Sequence, residues 1–266
     1  MSHPLDAQRI AAHCTAVGEG LVIEVVEETA STNADLRRRI DQLRAPVLRV
    51  AEQQSAGRGR AGREWRSARG DSLCFSLAWP FSRGLMQLAG LPLAVGVALA
   101  DTLRALNHPV TLKWPNDLLL DGAKLGGVLV ETGISRIDGS ESVWAVIGVG
   151  LNVHPNSVRD TGLPHDVAAL GENIDRNTLL ATIIDTLVGA LRLFDTQGLA
   201  PSIDRWQRWH AFSGLPVSVM DQGKLLHEGI ARSIDAAGCL LLETDEGLVA
   251  IAAGDLSLRA VSTNKT

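Results

Sequence analysis

Between positions 57 and 63 the chain reads Gly57-Arg58-Gly59-Arg60-Ala61-Gly62-Arg63, three glycines and three arginines in seven residues. No packed core or regular strand needs that composition. Glycine lets main-chain N–H groups approach a ligand closely, and the guanidinium fork matches carboxylate and phosphate oxygens. The segment is therefore a loop, and its flanks fix what can surround it. Pro46 to Glu52 reads as a strand leading into it, and Leu73 to Trp79 resumes a buried strand once it ends near Gly70. A loop of this kind between two strands is built to close on a small anion.

The rest of the composition keeps that positive feature local. The chain of 266 residues carries a formal charge of -5, so the arginines stand on an acidic body and an extended nucleic-acid surface is disfavoured. Its length suits one large domain and one small one. Cys14, Cys74 and Cys239 lie far apart with no CxxC spacing, and the histidines form no HExxH or HxxxH pair. Reduced thiols and no structural zinc are expected. Met1 to Asp6 lacks a basic start followed by an apolar run, and no apolar stretch approaches the roughly 20 residues of a membrane span. These features predict a cytoplasmic protein without a membrane partner.

Along the chain, Leu21 to Val26 reads as a strand, and Thr32-Asn33-Ala34-Asp35 has the form of a capping box ahead of Leu36, Ile40 and Leu43 at helical spacing. Leu85 to Leu106 is apolar around most of its circumference and predicts a central helix, with Gly90, Pro92 and Gly96 weakening its start. Val110 to Trp114, Leu118 to Leu120, Lys124 to Thr132 and Val143 to Val153 predict strands, with a hairpin turn at Asp121-Gly122. Helices are expected over Thr178 to Phe194 and Pro201 to Phe212. From Leu215 onward come short β segments with turns at Asp221-Gln222-Gly223, Ala236-Ala237-Gly238 and Asp245-Glu246-Gly247, closing with Leu256 to Val261. The pattern predicts an α+β fold with a mixed, mostly antiparallel sheet over 1–213 and a small antiparallel barrel over 214–266.

Four constellations exceed what packing needs. Ser31-Thr32-Asn33 stands where a strand gives way to a helix; such residues ordinarily cap, but three adjacent polar side chains also suit a small polar ligand. Gln53-Gln54-Ser55-Ala56 runs into the glycine-arginine loop, whose alternative is an RNA-binding segment; such segments repeat and this one does not. Lys113-Trp114-Pro115-Asn116-Asp117 packs a cation, an aromatic, an amide and an acid into what could otherwise be a tight turn. Gly122-Ala123-Lys124-Leu125-Gly126-Gly127 puts a lysine on the rising arm of a hairpin, with glycines that admit a ligand to the backbone.

In this order and at these separations, Ser-Thr-Asn, Gly-Arg-Gly-Arg-x-Gly-Arg-x-Trp, Lys-Trp-Pro-Asn-Asp, Lys-Leu-Gly-Gly and Ile147-Gly148-Val149-Gly150-Leu151-Asn152-Val153 resemble the bacterial biotin protein ligases. The resemblance runs from about Leu21 to about Arg259. It implies a class II synthetase-like catalytic core followed by an SH3-like barrel, with biotin and ATP as substrates. Such enzymes form biotinyl-5′-AMP and pass biotin to a lysine on the carrier domain of acetyl-CoA carboxylase or another biotin-dependent carboxylase. It also implies magnesium held mainly by phosphate oxygens and water, with no metal ligands of the protein's own.

Carried over position by position, the resemblance assigns biotin binding to Ser31, Thr32, Asn33, Gln54, Gly57, Arg58, Gly59, Arg60, Lys124 and Gly127. It assigns ATP binding to Arg58, Arg60, Arg63, Trp65, Asn116, Asp117, Lys124 and Asn152, and catalysis to Lys124, Arg60 and Asp117. Trp65 would cover the ligand, and the loop from Gly57 to Gly70 is expected to be mobile when empty. Many members carry an amino-terminal winged helix, for which the 30 residues before Ser31 leave no room; the expectation is a ligase that binds no DNA, with the sheet edges open to pairing as a homodimer. A lipoate ligase is the enzymatic rival, although its arginine pair followed by Ser-Gly-Gly-Gly is absent. A non-catalytic module that binds RNA or a protein partner is the rival from another class.

Overall fold

The computed structural model describes residues 3–67, 69–137, 139–158, 167–221, 223–254 and 256–260. Its first element was not foreseen. Ala7–His13 forms α1, capped by the Asp6 carboxylate, which accepts from the Arg9 N–H. A single fully buried anchor, Ile10, holds it to the core, too little periodicity to read as a helix.

Val22–Thr29 forms β1, Thr32–Arg38 forms α2 and Val47–Gln54 forms β2, which pairs parallel with β1. The cap of α2 is Ser31 rather than Thr32, its Oγ accepting from the Ala34 N–H at 3.4 Å. The Thr32 hydroxyl is committed elsewhere, and Asp35 receives Thr29 and Arg49 instead of closing a capping box. Ser72–Phe81 is β3. The central helix α3 spans Leu91–Ala105; Leu85–Leu88 is a separate 3₁₀ turn, and Pro92 sits in the first turn of α3, where its missing N–H leaves no bond unmade.

Thr111–Lys113 (β4), Asp117–Leu120 (β5), Ala123–Ile137 (β6) and Ser140–Asn152 (β7) complete a seven-stranded sheet in the order β1-β2-β3-β7-β6-β5-β4, antiparallel except for the first pair. Asp121 and Gly122, with φ of 52° and 80°, make the hairpin turn between β5 and β6. Arg176–Gln197 (α4) and Ala200–Trp209 (α5) follow, α5 ending three residues before Phe212. One face of the sheet, with Phe75, Leu77, Ile147 and Val149, packs on α3 and α4 in the main core. On the other, Ala78, Trp144 and Val146 meet Leu36 and Ile40 in a second, smaller cluster.

The two most apolar helical stretches, Leu85–Ala105 and Arg176–Gln197, are long and apolar enough by composition to cross a membrane, contrary to the sequence expectation. Both are mostly buried, as helices that line a core are.

Pro216–Asp221 (β8), Lys224–Ile234 (β9), Leu240–Thr244 (β10), Gly247–Ile251 (β11) and Leu256–Ala260 (β12) form a separate antiparallel sheet in the order β11-β10-β9-β8-β12. Its expected turns at 236–238 and 245–247 are present, whereas Gln222 and Val261 lie outside the described residues. The small unit is tied to the edge of the large sheet. The Ala211 N–H donates to the Leu112 carbonyl at 2.8 Å, and the fully buried Trp114 donates its indole N–H to the Gly238 carbonyl at 3.1 Å. Trp114→Phe leaves that buried carbonyl unpaired, so denaturant unfolding is expected to show a loss of about 1–3 kcal/mol.

Candidate active site

One row of paired residues crosses all seven strands: Val26, Ala51, Cys74, Gly150, Gly127, Asp117 and Lys113. Paired residues point to the same face of a sheet, so this row lays two glycines as a floor between Cys74 and the charged pair Asp117 and Lys113. The neighbouring row adds Ser76, Gly148 and Leu129. The result is a trough across the sheet beside α2, with side chains at its ends and bare backbone in the middle.

Lys124 enters the trough through an irregularity. The pairing of β5 with β6 shifts between Leu118 and Leu119, so that Lys124 opposes Leu119 and Leu125 is the extra residue. Such a bulge reverses the alternation locally. It turns Lys124 to the same face as Asp117 and sends Leu125 into the core, where it is fully buried. Lys124 Nζ then lies 2.7 Å from Asp117 Oδ1.

The other end is a chain of side-chain hydrogen bonds, buried at Thr32, Asn33 and Ser76. Ser76 donates to Asn33 Oδ1 at 2.5 Å, leaving its oxygen to accept the Thr32 hydroxyl at 2.7 Å. Gln54 Oε1 accepts the Thr32 N–H at 2.8 Å, and Asn33 Nδ2 donates to Glu131 at 3.0 Å. Asn33 fits only because position 148 is glycine: a Cβ there would lie 2.3 Å from Asn33 Oδ1.

At the charged end Asp117 stands between two lysines, Lys124 at 2.7 Å and Lys113 at 4.0 Å. Burial holds the Lys113 ammonium below the usual lysine range, and the positive charges of Lys124, Arg259 and Arg63 add to this against the attraction of Asp117. Three cations from three parts of the chain thus gather around Lys113: one from the hairpin, one from the last strand, one from the glycine-arginine loop. Asn116 donates to the Val128 carbonyl at 2.8 Å and accepts from Arg60 at 3.4 Å.

The glycine-arginine loop closes over this trough as a small ladder. The Trp65 N–H donates to the Gly57 carbonyl at 2.9 Å and the Gly59 N–H to the Arg63 carbonyl at 2.6 Å. A Cβ at Gly57 would lie 2.5 Å from the Trp65 carbonyl oxygen, so only glycine permits the closure. Arg60 reaches both Asn116 of the sheet and the Gly254 carbonyl of the small unit. Trp65 lays its indole on Gly150, where a Cβ would come within 2.4 Å of the ring. With the indole there, the cavity bounded by Thr32, Asn33, Gln54, Ser76 and Trp65 holds about 30 Å³, room for one or two waters. The buried Trp65 indole nitrogen faces only the Cys74 sulfur, a weak acceptor.

The structure therefore brings Thr32, Asn33, Gln54, Arg60, Trp65, Asn116, Asp117, Lys124 and Gly127 into one trough. Ser31 is a helix cap, and Arg58 and Arg63 are exposed on the loop. Asn152, 5% exposed, spends its amide on the Ala168 carbonyl at 3.1 Å, at the rim. Sequence reasoning assigned no role to Ser76, Glu131, Lys113 or Cys74. The Cys74 thiol sits under the trough, and burial pushes it up to about 11, so it stays protonated near neutral pH. Only register could have revealed it. Among the described residues no group of three or more His, Cys, Asp or Glu is placed to hold a metal ion.

Fold and site together define a ligase catalytic core with a small SH3-like β domain attached. The sequence profile of the biotin/lipoate A/B protein ligase family matches residues 22–152, and that of the biotin protein ligase C terminal domain matches residues 212–259. The chain belongs to this family. It is 39% identical over 247 residues to the bifunctional ligase/repressor BirA of Escherichia coli, covering 91% of this chain and 75% of that protein. It is 31% identical over 274 residues to the biotin–[acetyl-CoA-carboxylase] ligase of Mycobacterium tuberculosis, covering 95% of each. The solved biotin protein ligase of Aquifex aeolicus in complex with biotin and ATP matches with a TM-score of 0.72 at 26% identity, over 90% of this chain and 99% of that one.

Because Gly150 seats the indole, Gly150→Ala should expel Trp65 into solvent and shift its fluorescence emission to the red. The same substitution in a Trp65→Phe background should leave the emission unchanged.

Proposed function

We propose that this chain activates biotin with ATP to biotinyl-5′-AMP and transfers the biotin to one lysine of a biotin carboxyl carrier domain, of acetyl-CoA carboxylase or another biotin-dependent carboxylase. The row that runs from Cys74 through Gly150 and Gly127 to Asp117 and Lys113 carries this reading. It joins a polar, buried end suited to a ureido ring to a cationic end suited to a carboxylate and a phosphate, across a floor where a ligand can touch backbone. We assign the catalytic unit to residues 1–213 and the carboxy-terminal unit to 214–266.

In this reading Thr32, Asn33, Gln54 and Ser76 receive the ureido group, whose N–H and C=O can replace bonds these side chains make to one another. A dithiolane ring offers no such groups, and leaving buried polar atoms unpaired discriminates strongly against it. That favours biotin over lipoate. Entry requires Trp65 to leave Gly150, since the remaining space admits only water, and its return would cover the acyl-adenylate.

A carboxylate attacking the α-phosphate builds negative charge on the pentacoordinate phosphorus, and preorganised cations lower that barrier. In this reading Lys124, brought to the trough face by the bulge and paired with Asp117, turns to the substrate oxygens when they compete for it. Arg60 links the loop to Asn116 beside the same oxygens. Arg58 and Arg63 approach the nucleotide from the loop, and Asn152 supports the rim. Bound with the triphosphate, magnesium would neutralise charge on the pyrophosphate leaving group. Asp117 is the carboxylate at the cationic end and is engaged by two lysines, so phosphate oxygens and water would hold most of the ion.

The direct test is incorporation of biotin into a purified carrier domain with ATP and magnesium, alongside ATP–pyrophosphate exchange that responds to biotin and not to lipoate. Exchange with lipoate alone would overturn the assignment. Lys124→Ala should cost roughly 10²–10³ in exchange rate, as removal of one preorganised donor does; undiminished exchange would remove Lys124 from the chemistry. Arg60→Gly should raise the leakage of activated biotin to bystander lysines, and wild-type retention of the intermediate would remove Arg60 from that role.

A further inference from the structure

On the face of the sheet opposite the trough lies an ion pair that the chemistry above does not use. Arg176, the first residue of α4, is 1% exposed, and its partner Glu52, two residues before Gln54, is 4% exposed. The Arg176 Nη2 donates to Glu52 Oε2 at 2.9 Å and Oε1 at 3.1 Å, and Nη1 donates to the Ser72 carbonyl at 3.1 Å. Glu52 is on the stem where the chain leaves the sheet for the glycine-arginine loop, and Ser72 is on the stem where it returns. One guanidinium therefore holds both stems.

The amino-terminal segment covers this fork. Arg176 Nη2 also donates to the His3 carbonyl at 3.2 Å, and Leu5 donates its N–H to Glu52 Oε1. The next residue of α4, Asn177, donates to the Pro4 carbonyl at 3.0 Å and accepts the Asp6 N–H at 2.9 Å. An isolated buried charge pair is no gain over apolar packing. Here its geometry has another use: a planar fork fixes the separation of two strands at the mouth of a loop whose interior is glycine and arginine.

We propose that Arg176 is a positioning residue for the ligand-covering loop, acting through Glu52 and the Ser72 carbonyl to hold its two stems at the spacing from which Trp65 reaches Gly150. This rests on the reading of the trough as a biotinyl-adenylate site only for the identity of what the loop retains. The spacing of the stems is a property of the protein alone. A lysine at position 176 keeps the charge but replaces the planar two-nitrogen fork by a single donor point, and replacing both members removes the pair without leaving a buried charge.

The test compares Arg176→Lys and the double variant Glu52→Gln/Arg176→Met with wild type in two assays. Native-state trypsin digestion without ligand reads the loop itself, since Arg58, Arg60, Arg63, Arg66 and Arg69 lie in it. Both variants should be cut there about tenfold faster while the rest of the chain stays resistant, the size expected for loss of a charge-assisted bond. Release of biotinyl-5′-AMP formed in a single turnover should also be about tenfold faster at an unchanged exchange rate. Wild-type cleavage of the loop in a folded variant overturns the proposal, whatever the ligand does. Accelerated cleavage in a protein that makes no adenylate would uphold the staple and sink the functional reading instead.

Discussion

The structure depends on the register of one sheet. A single line of pairing aligns Cys74, Gly150, Gly127, Asp117 and Lys113, residues drawn from five strands, and a slip of one residue on any of them would turn its contribution to the other face. The main core enforces that register, because Phe75, Leu77, Ile147 and Val149 alternate with the site residues and face α3 and α4. Packing on one face thus fixes chemistry on the other. Among the described residues of this sheet the bulge at Leu125 is the one shift of register, and it is what delivers Lys124.

Much of the site was legible because its parts are short, contiguous and chemically odd. The Lys113 to Asp117 segment and the Gly57 to Arg63 loop stand out against any packing pattern, and both line the trough. What was not legible is what depends on neighbours across strands. Ser76 reads as an ordinary strand residue until pairing sets it beside Gly148, and Cys74 as an ordinary buried thiol until pairing sets it beside Gly150. The Arg176 and Glu52 pair is separated by 124 positions, and no local pattern links the two.

Errors in the fold have equally local causes. The capping pattern points one residue late because Thr32 has the right side chain; its hydroxyl is instead drawn into the Ser76 and Gln54 chain, leaving Ser31 to cap. The start of α3 was placed early because Leu85 to Leu88 is apolar, although Gly90 and Pro92 mark the true beginning. The first case is a tertiary demand overriding a local pattern, and the second a local start signal outweighing apolar composition.

In the proposed mechanism the loop and the trough are a single device: Trp65 occupies the floor until a ligand displaces it, and Lys124 waits on Asp117 until anionic oxygens draw it away. A crystal structure with a non-hydrolysable biotinyl-adenylate analogue tests this most directly. The acyl-phosphate mimic is expected over Gly127 within hydrogen-bonding distance of Lys124, the ureido ring against Thr32, Asn33 and Ser76, and the Trp65 indole lifted from Gly150 onto the ligand. An analogue bound elsewhere, or bound with Trp65 still on Gly150 and Lys124 still paired to Asp117 alone, would contradict it.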